Sequence, residues 1–233
     1  MPEKAAIITA AGKGLGAAIA GELAAAGYRV SLLSNSDGAL RLSQELGGIG
    51  MSGSVTEPED LAKLVRATLE KFGRIDAVVN NTGHPPKGEL LDISDAEWHL
   101  GLDMLLLNVV RMARLVTPIF LKQGGGAIVN ISTFSAFEPD LSFPVSSSLR
   151  SGLASFTKLY ANRYAELGIR INNVMPGFMD NYPETPEHLA KIPMKRHGKV
   201  QEIAKTVRFL LSDDAGYITG QNIRADGGLT RSI

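Results

Sequence analysis

The feature that most constrains this chain of 233 residues is the alternation of short apolar runs with amphipathic helical stretches along its whole length. Ala5–Thr9 is a mainly apolar run, and in the stretch after it Leu15, Ile19 and Leu23 recur at intervals of four. Such a run predicts a strand buried on both faces, and such an interval predicts one face of a helix. Repetition of this unit predicts an α/β fold with a parallel sheet covered by helices on both sides. The predicted strands are Ala5–Thr9, Arg29–Leu33, Ile49–Met51, Ile75–Asn80, Ala127–Ile131, Ile169–Val174 and Gln221–Ala225.

Composition excludes several classes of protein. The 24 Lys and Arg residues balance 24 Asp and Glu residues without a basic block, which argues against nucleic-acid binding. The absence of cysteine excludes disulfides and cysteine-ligated metals, and no histidine or carboxylate cluster has the spacing of metal ligands. No apolar run approaches the roughly 18 residues that span a bilayer, and the first residues do not resemble a secretory signal. We therefore expect a soluble cytoplasmic protein that binds no nucleic acid, no membrane and no metal.

No long linker or repeat divides the chain, so residues 1–233 are predicted to form a single domain. The least regular stretch is Gly177–Gly198, which contains Pro183, Pro186 and Pro193. It is too long for an ordinary connection between elements. It is either a substrate lid beside a site or an insertion, and we favour the lid.

A glycine-rich turn, Gly12-Lys13-Gly14-Leu15-Gly16, lies directly between the first predicted strand and the first helix. In that position backbone N–H groups can approach a pyrophosphate, and the helix N-terminus supplies a favourable dipole. The alternative is a tight turn that only permits close packing. The position after a strand favours a dinucleotide site.

The turn Thr9–Gly16 resembles the TGxxxGxG motif of the short-chain dehydrogenase/reductase family, with Ala10 in place of the first glycine. Asn80–Gly83 resembles that family's NNAG motif, with Thr82 in place of alanine. The resemblance covers essentially the whole chain, and within the family it points to members like 3-oxoacyl reductases. It implies a doubly wound, seven-stranded Rossmann sheet in three αβα layers and a nicotinamide dinucleotide site. The further matches are Trp98, Asp103, Arg114, Pro118, Asn130–Ser132, Gly168–Asn172, Pro176-Gly177, Thr219-Gly220 and Asp226–Gly228.

The same resemblance favours NADP(H) over NAD(H) as the cofactor. Relatives that use NAD carry an acidic residue at the end of strand two, whereas Leu33–Ser36 contains no carboxylate. Lys13 can pair with a 2′-phosphate, or it can be a solvated turn residue, and Ser34, Asn35 and Ser36 can donate hydrogen bonds. Ser54 replaces the aspartate that holds the adenine in relatives, which weakens the expected adenine contact. The cofactor-binding residues predicted by the resemblance are Gly12, Lys13, Gly14, Leu15, Gly16, Ser34, Asn35, Val55, Asn81, Gly83, Arg150, Pro176 and Gly177.

The catalytic positions of the family are all changed. The usual mechanism uses a tyrosine as acid/base, a lysine four residues later, a serine thirteen residues earlier and an asparagine on the long helix. Counted from Gly152 and Pro176-Gly177, the tyrosine position is Ser146 and the lysine position is Arg150. Thr133 then stands at the serine position, and Leu105 stands at the asparagine position.

These changes differ in consequence. Thr133 keeps a hydroxyl and Arg150 keeps a positive charge. Ser146 ends roughly 4 Å short of a tyrosine oxygen, and general acid catalysis is typically worth about 10²–10⁴-fold. His84 follows the NNTG motif and titrates near neutrality, so it could supply the proton, or it could be a surface loop residue. The predicted catalytic residues are Thr133, Ser146, Arg150 and His84.

Other polar residues of the lid segment are weaker candidates. Asp180 and Tyr182 could reach the pocket or lie in solvent, and Asn181 stands where relatives place a threonine that bonds the nicotinamide carboxamide. The remaining histidines are expected on the surface or on helix faces; they are His99, His188 and His197.

Three functions stay open at this point. The chain could be an NADP(H)-dependent oxidoreductase that reduces an unidentified small carbonyl compound, which we favour. It could be a catalytically inactive homologue that binds a dinucleotide or a partner, or it could catalyse a non-redox reaction. Helices 102–121 and 147–167 carry more apolar residues than one buried face needs, and they form the dimer interface in relatives. We therefore expect a homodimer or a homotetramer.

Overall fold

The computed structural model describes residues 3–232, and seven parallel strands form one sheet within them. The strand order is β3-β2-β1-β4-β5-β6-β7. The chain adds β2 and β3 on one side of β1 and then adds β4 to β7 on the other side, so the strand order reverses between β1 and β4. Ligands of such sheets bind at this reversal, outside the carboxyl ends of the strands. The predicted doubly wound parallel sheet is confirmed. The strands are β1 Ala5–Ile8, β2 Arg29–Ser34, β3 Ile49–Ser52, β4 Ala77–Asn80, β5 Gly126–Ile131, β6 Ile169–Pro176 and β7 Asn222–Ala225.

Helices cover both faces of the sheet and complete the three layers. On one face Ile19 and Leu23 of the first helix pack with Val207 of the last helix over β1 and β2. On the other face Leu61 and Phe120 pack over β4, β5 and β6. The helices are α1 Gly14–Ala25, α2 Gly38–Glu45, α3 Pro58–Phe72, α4 Asp95–Leu102, α5 Asn108–Gln123, α6 Pro144–Tyr164, α7 Pro186–Lys191 and α8 Val200–Leu211.

The long helical stretch over 95–123 differs from expectation in two ways. A π-helical segment, Asp103–Leu107, separates α4 from α5. An 18-residue window of the stretch has mean hydropathy 1.6, so by length and composition it could cross a membrane, and the expectation that no run approaches that length is wrong. The side chains of Met112, Val116 and Phe120 are nevertheless fully buried against the sheet. The stretch is a core layer of this fold.

Two further elements differ from the sequence prediction. Helix α6 begins at Pro144, three residues before the predicted start at Ser147, because proline suits the first turn of a helix. The segment 177–198, which the sequence predicts as the least regular stretch, contains the short helix α7. Its ends are joined, because Gly198 N donates to Phe178 O at 2.9 Å and Asp180 N donates to Gly198 O at 2.8 Å. The segment therefore leaves the sheet after β6 and returns to the same point, forming a closed loop.

A ladder of buried asparagines crosses four strands, and the sequence reading missed it. Asn80, Asn130, Asn173 and Asn222 are register partners on β4 to β7. Their side chains bond in series, at 2.9 Å, 2.9 Å and 2.7 Å. Thr157 of α6 donates to Asn173 at 2.9 Å. Because each buried amide needs its partner, the ladder fixes the register of this half of the sheet.

Candidate active site

The glycine turn 12–16 opens α1 at the carboxyl end of β1. A Cβ at Gly16 would lie 2.2 Å from the Ala10 carbonyl oxygen, and one at Gly12 would lie 2.7 Å from Ser34 Oγ. Gly14 has φ +55°, which favours glycine. No side chain caps the N-terminus of α1, where Lys13 is the N-cap residue and is exposed. The turn therefore offers uncapped backbone N–H groups at a helix N-terminus, which suits a pyrophosphate.

Ala10 carries a strained backbone at the position of the missing family glycine. Its φ of 47° lies in the left-handed region, which costs a residue with a Cβ roughly 1–2 kcal/mol. The chain thus keeps the turn geometry of a glycine without the glycine itself.

Asn81 ties the turn to the carboxyl end of β4. Its backbone N donates to Thr9 Oγ1 at 2.9 Å, and its side-chain Nδ2 donates to the Ala10 carbonyl oxygen at 3.2 Å. Gly83 follows two residues later and is exposed. These contacts bring Asn81 and Gly83 to the reversal point beside the turn, where the resemblance expects them.

The residues expected around the adenosine ribose differ in their freedom to bind. Ser34 is buried, donates its hydroxyl to Ser36 O at 2.6 Å and accepts from Ala39 N at 3.0 Å. It could donate to a phosphate only if the bond to Ser36 broke. Asn35 is exposed and could donate directly. Val55 is half-buried beyond β3.

A crevice lies at the carboxyl ends of β1 and β4, with the glycine turn on one side. The loop after β6 forms its other side. Gly177, which follows Pro176, donates its N–H to Ala225 O at 3.2 Å, and a Cβ there would lie 2.9 Å from Asp226 Cα. Further along this loop, Asn181 Nδ2 lies 3.5 Å from where a Gly14 Cβ would be. The segment 177–198 therefore reaches across the crevice to the glycine turn.

Three of the predicted catalytic residues lie at the carboxyl end of β5 and the start of α6. Thr133 Oγ1 accepts from Ser135 N at 3.4 Å, and Ser146 lies buried in the first turn of α6. Arg150 is one turn further, is 7% exposed and donates to the Ile131 carbonyl oxygen. Burial lowers the pKa of Arg150 to about 10, so its side chain stays charged at neutral pH.

Several buried polar atoms in this region have no hydrogen-bond partner among residues 3–232. They include Thr82 Oγ1 after β4, Ser132 Oγ after β5 and Arg150 Nε. Buried polar atoms are normally paired, so atoms left unpaired at the carboxyl ends of two neighbouring strands mark a site for a polar ligand. Leu105, at the family's asparagine position, lies in the π-helical segment and packs on Ile93.

The side chains of His84 and Tyr182 are in contact close to this region. Nε2 of His84 and the hydroxyl of Tyr182 form a hydrogen bond, and the ring centroids are 5.3 Å apart in an edge arrangement. Burial lowers the pKa of His84 below its ordinary value, and the charges of Lys87 and Arg150 lower it further. The contact joins the loop after β4 to the segment 177–198. The positive charge of Arg150 acts on the imidazole ring of His84 and disfavours its protonation.

One histidine prediction is wrong. His197 is 3% exposed instead of lying on the surface, and its Nδ1 donates to Met179 O at 3.2 Å. His188 stacks on Phe178 with ring centroids 3.8 Å apart, whereas His99 is exposed as expected. Among residues 3–232, no group of three or more histidine or carboxylate side chains could hold a metal ion.

Comparisons with known proteins agree with this arrangement. A family model described as enoyl-(acyl carrier protein) reductase matches residues 9–230. A 3-oxoacyl-[acyl-carrier-protein] reductase of Synechocystis sp. is 34% identical over 237 residues, covering 96% of each chain. The 3-oxoacyl-[acyl-carrier-protein] reductase FabG of Escherichia coli is 33% identical over 236 residues, covering 97% of each chain. FabG of Staphylococcus epidermidis is 31% identical over 242 residues, covering 97% of this chain and 98% of its own.

Proposed function

This chain belongs to the short-chain dehydrogenase/reductase family, and from that premise we propose that it is an NADP(H)-dependent oxidoreductase with an atypical active site. Its substrate would be a small carbonyl compound. The observation that carries the proposal is the joint presence of a glycine turn suited to a dinucleotide and a His84–Tyr182 pair near Arg150. The pair offers a proton donor in a site that lacks the family's tyrosine.

The residues around the glycine turn fit a nicotinamide dinucleotide. The uncapped start of α1 would face the pyrophosphate, and the exposed Lys13 and Asn35 would hold a 2′-phosphate. No carboxylate stands after β2 until Asp37, so nothing at that point repels the phosphate. When bound, NADPH supplies a hydride to the carbonyl carbon, and the carbonyl oxygen takes up a proton to give an alcohol and NADP⁺.

Protein side chains would manage the developing charge on that oxygen. Thr133 could donate a hydrogen bond to it, and Arg150 could stabilise its negative charge from within the protein. A histidine with a lowered pKa is a stronger acid when protonated, so His84 could deliver the proton directly or through the Tyr182 hydroxyl. Ser146 is too short and too weakly acidic for this task.

The second candidate is a catalytically inactive member of the family that still binds a dinucleotide or a protein partner. One observation favours it. Arg150 Nη1 donates to Ile131 O, so part of the guanidinium group is already engaged within the protein. In this reading Arg150 would hold the end of β5 in place and would take no part in chemistry.

NADPH oxidation by the purified protein tests the choice between the two. We would follow it with panels of ketones, quinones and imines from about pH 5 to about pH 9, for the wild type and for His84→Gln, Tyr182→Phe and His99→Gln. The proposal expects turnover that falls about 10²-fold in His84→Gln with a flattened pH profile, falls less in Tyr182→Phe and is unchanged in the control His99→Gln. Bound NADPH with no oxidation of any substrate would contradict the oxidoreductase proposal. Turnover unchanged in His84→Gln would contradict the role of His84.

We further infer a cytoplasmic homodimer or homotetramer formed through helices 102–121 and 147–167. Leu121 and Leu159 are 44% and 69% exposed on these helices, which leaves apolar surface uncovered on one chain. Light scattering would give a mass of at least two chains. A mass of one chain at micromolar concentration would contradict this inference.

A further inference from the structure

A pocket lies beside the loops that follow β5 and β6. Its volume is about 300 Å³, within the range of sites for small ligands. One wall begins at Phe134, directly after Thr133, and another is Phe178, directly after Gly177. The remaining walls come from the end of α7 and from the C-terminal segment. The pocket is therefore lined by the sequence neighbours of a candidate catalytic residue, Thr133, and of a candidate cofactor residue, Gly177.

The floor of the pocket is aromatic and rigid. The ring centroids of Phe134 and Phe178 are 5.4 Å apart. Phe134 is braced edge-on by Phe143 at 6.3 Å, and Phe178 is stacked on His188 at 3.8 Å. A fixed aromatic floor suits the apolar body of a ligand.

The two acidic residues that line the pocket are already engaged by backbone. Glu138 accepts hydrogen bonds from Arg231 N at 2.7 Å and from Ser232 N, and these bonds lower the pKa of its carboxyl group. Asp140 accepts from Ser142 N at 2.8 Å. Their negative charges thus serve to hold loops in place.

The two cations that line the pocket are not paired in this way. Within residues 3–232, the side chains of Lys191 and Arg231 form neither an ion pair nor a hydrogen bond. Lys191 stands in the last turn of α7 and Arg231 stands on the C-terminal segment. The lining therefore combines two aromatic rings and two carboxylates bonded to backbone N–H groups with two cations whose donors are not engaged among the described residues.

The C-terminal segment that carries Arg231 is held unusually firmly. Asp226 accepts from Gly228 N and Thr230 N, both at 3.0 Å, and Arg224 donates to Ser232. Chain ends ordinarily fray unless they are tied down. Here hydrogen bonds hold the backbone on both sides of Arg231 and place this residue beside the pocket.

We propose that this pocket binds a small oxo acid, with its apolar body on Phe134 and Phe178 and its carboxylate between Lys191 and Arg231. The assignment rests on the proposed function, because it takes the pocket as the substrate site of the reductase. It names a free acid as the substrate, in contrast to the carrier-protein thioesters in the names of the relatives. The carbonyl beside the carboxylate would then face Thr133.

Calorimetric titration of the full-length chain, with and without NADP⁺, tests the proposal without any need for turnover. The probes are benzoylformate, its methyl ester and acetoacetyl-N-acetylcysteamine, a thioester that stands for a carrier-bound chain. We expect benzoylformate to bind about tenfold more tightly than its ester, because only the acid can pair with the two cations. Equal binding of acid and ester, tighter binding of the thioester, or no binding of the acid up to about 10 mM would overturn the proposal.

Two double variants locate the effect. Lys191→Gln/Arg231→Gln should lower the affinity for benzoylformate about tenfold and leave that for the ester unchanged. Lys71→Gln/Lys122→Gln removes the same two charges from exposed positions at the ends of α3 and α5 that lead into β4 and β5, away from the pocket, and should change neither affinity. Loss of affinity in both double variants would show a general effect of net charge and would overturn the proposal. Selective binding of the acid without NADPH oxidation would refute the reductase function alone.

Discussion

The two ends of the crevice contrast in how they are built. At the β1–α1 turn, the site consists of backbone, and Gly12 and Gly16 have no room for a Cβ. At the β5–α6 end, the site consists of side chains, and the sequence predicts Ser146 and Arg150 of α6 at the positions of the family's tyrosine and lysine. A backbone site can change only if the fold changes with it, whereas side chains on a helix can be exchanged with the fold intact. This contrast predicts that cofactor binding can persist in this scaffold when the groups for proton transfer are exchanged.

The asparagine ladder explains why the second end can vary. Asn130 and Asn173 are fully buried beneath α6, and Thr157 of that helix bonds to both. The strands and the helix are thus held together from the core side by contacts that involve neither residue 133 nor residue 146. We therefore expect this end to keep its geometry when those side chains are exchanged.

The largest effect is expected at the glycine turn. Gly16→Ala would place a methyl group 2.2 Å from the Ala10 carbonyl oxygen, which must shift the turn. We expect a loss of about 3 kcal/mol in the free energy of unfolding, measured in urea, together with loss of NADPH binding. Gly21→Ala in the same helix is the matched control, since nothing lies within 4 Å of its Cβ, and it should raise stability by about 1 kcal/mol. Normal NADPH binding in Gly16→Ala would break the contrast between the two ends.

The next effect is expected in the ladder. Asn130→Ala would leave Asn80 Nδ2 without its buried acceptor and would remove one of the two donors to Asn173 Oδ1, so it should cost about 2 kcal/mol of unfolding free energy. Asn222→Ala, at the half-buried end of the ladder, should cost clearly less. Equal costs at both positions in urea unfolding would show that the ladder does not hold the catalytic end.

A smaller gain is expected at Ala10. Ala10→Gly removes the left-handed strain, which outweighs the greater flexibility of glycine in the unfolded chain, and should stabilise the protein by about 0.5 kcal/mol. Ala25→Gly, in the last turn of α1, should instead destabilise it. Thermal unfolding of both variants checks the sign, and destabilisation by Ala10→Gly would mean that the turn does not need a glycine-like backbone.

The smallest effect is a pH dependence at His84. Its folded pKa lies below its ordinary value, so below about pH 6.5 the unfolded chain takes up a proton that the folded chain resists. Stability is therefore complete above that pH and falls as the pH drops toward the folded pKa. The ring is half-exposed, and solvent screening limits the loss to about 0.3 kcal/mol. His84→Gln should remove this component and His99→Gln should not; identical pH curves for wild type and His84→Gln would refute the lowered pKa.

The sequence was most informative where the chain obeys periodic rules. The alternation of apolar runs and helical stretches was enough to predict the seven-stranded sheet, and the position of the glycine turn after β1 followed directly. The asparagine ladder was not predicted, because a single amide in an apolar run does not reveal its neighbours on other strands. The burial of His197 and the pairing of His84 with Tyr182 depend on the path of residues 177–198. That path is set by contacts distant in sequence, such as the one between Met179 and Gly198.

Fluorescence titration of the purified protein with NADPH and, in parallel, with NADH tests the central claim most directly. If the backbone-built end of the crevice works independently of the replaced catalytic residues, NADPH binds with micromolar affinity and NADH binds more weakly. Lys13→Gln should then narrow the difference between the two cofactors. If neither cofactor binds, the glycine turn serves only to pack α1 against the sheet, and the separation of cofactor binding from catalysis is contradicted.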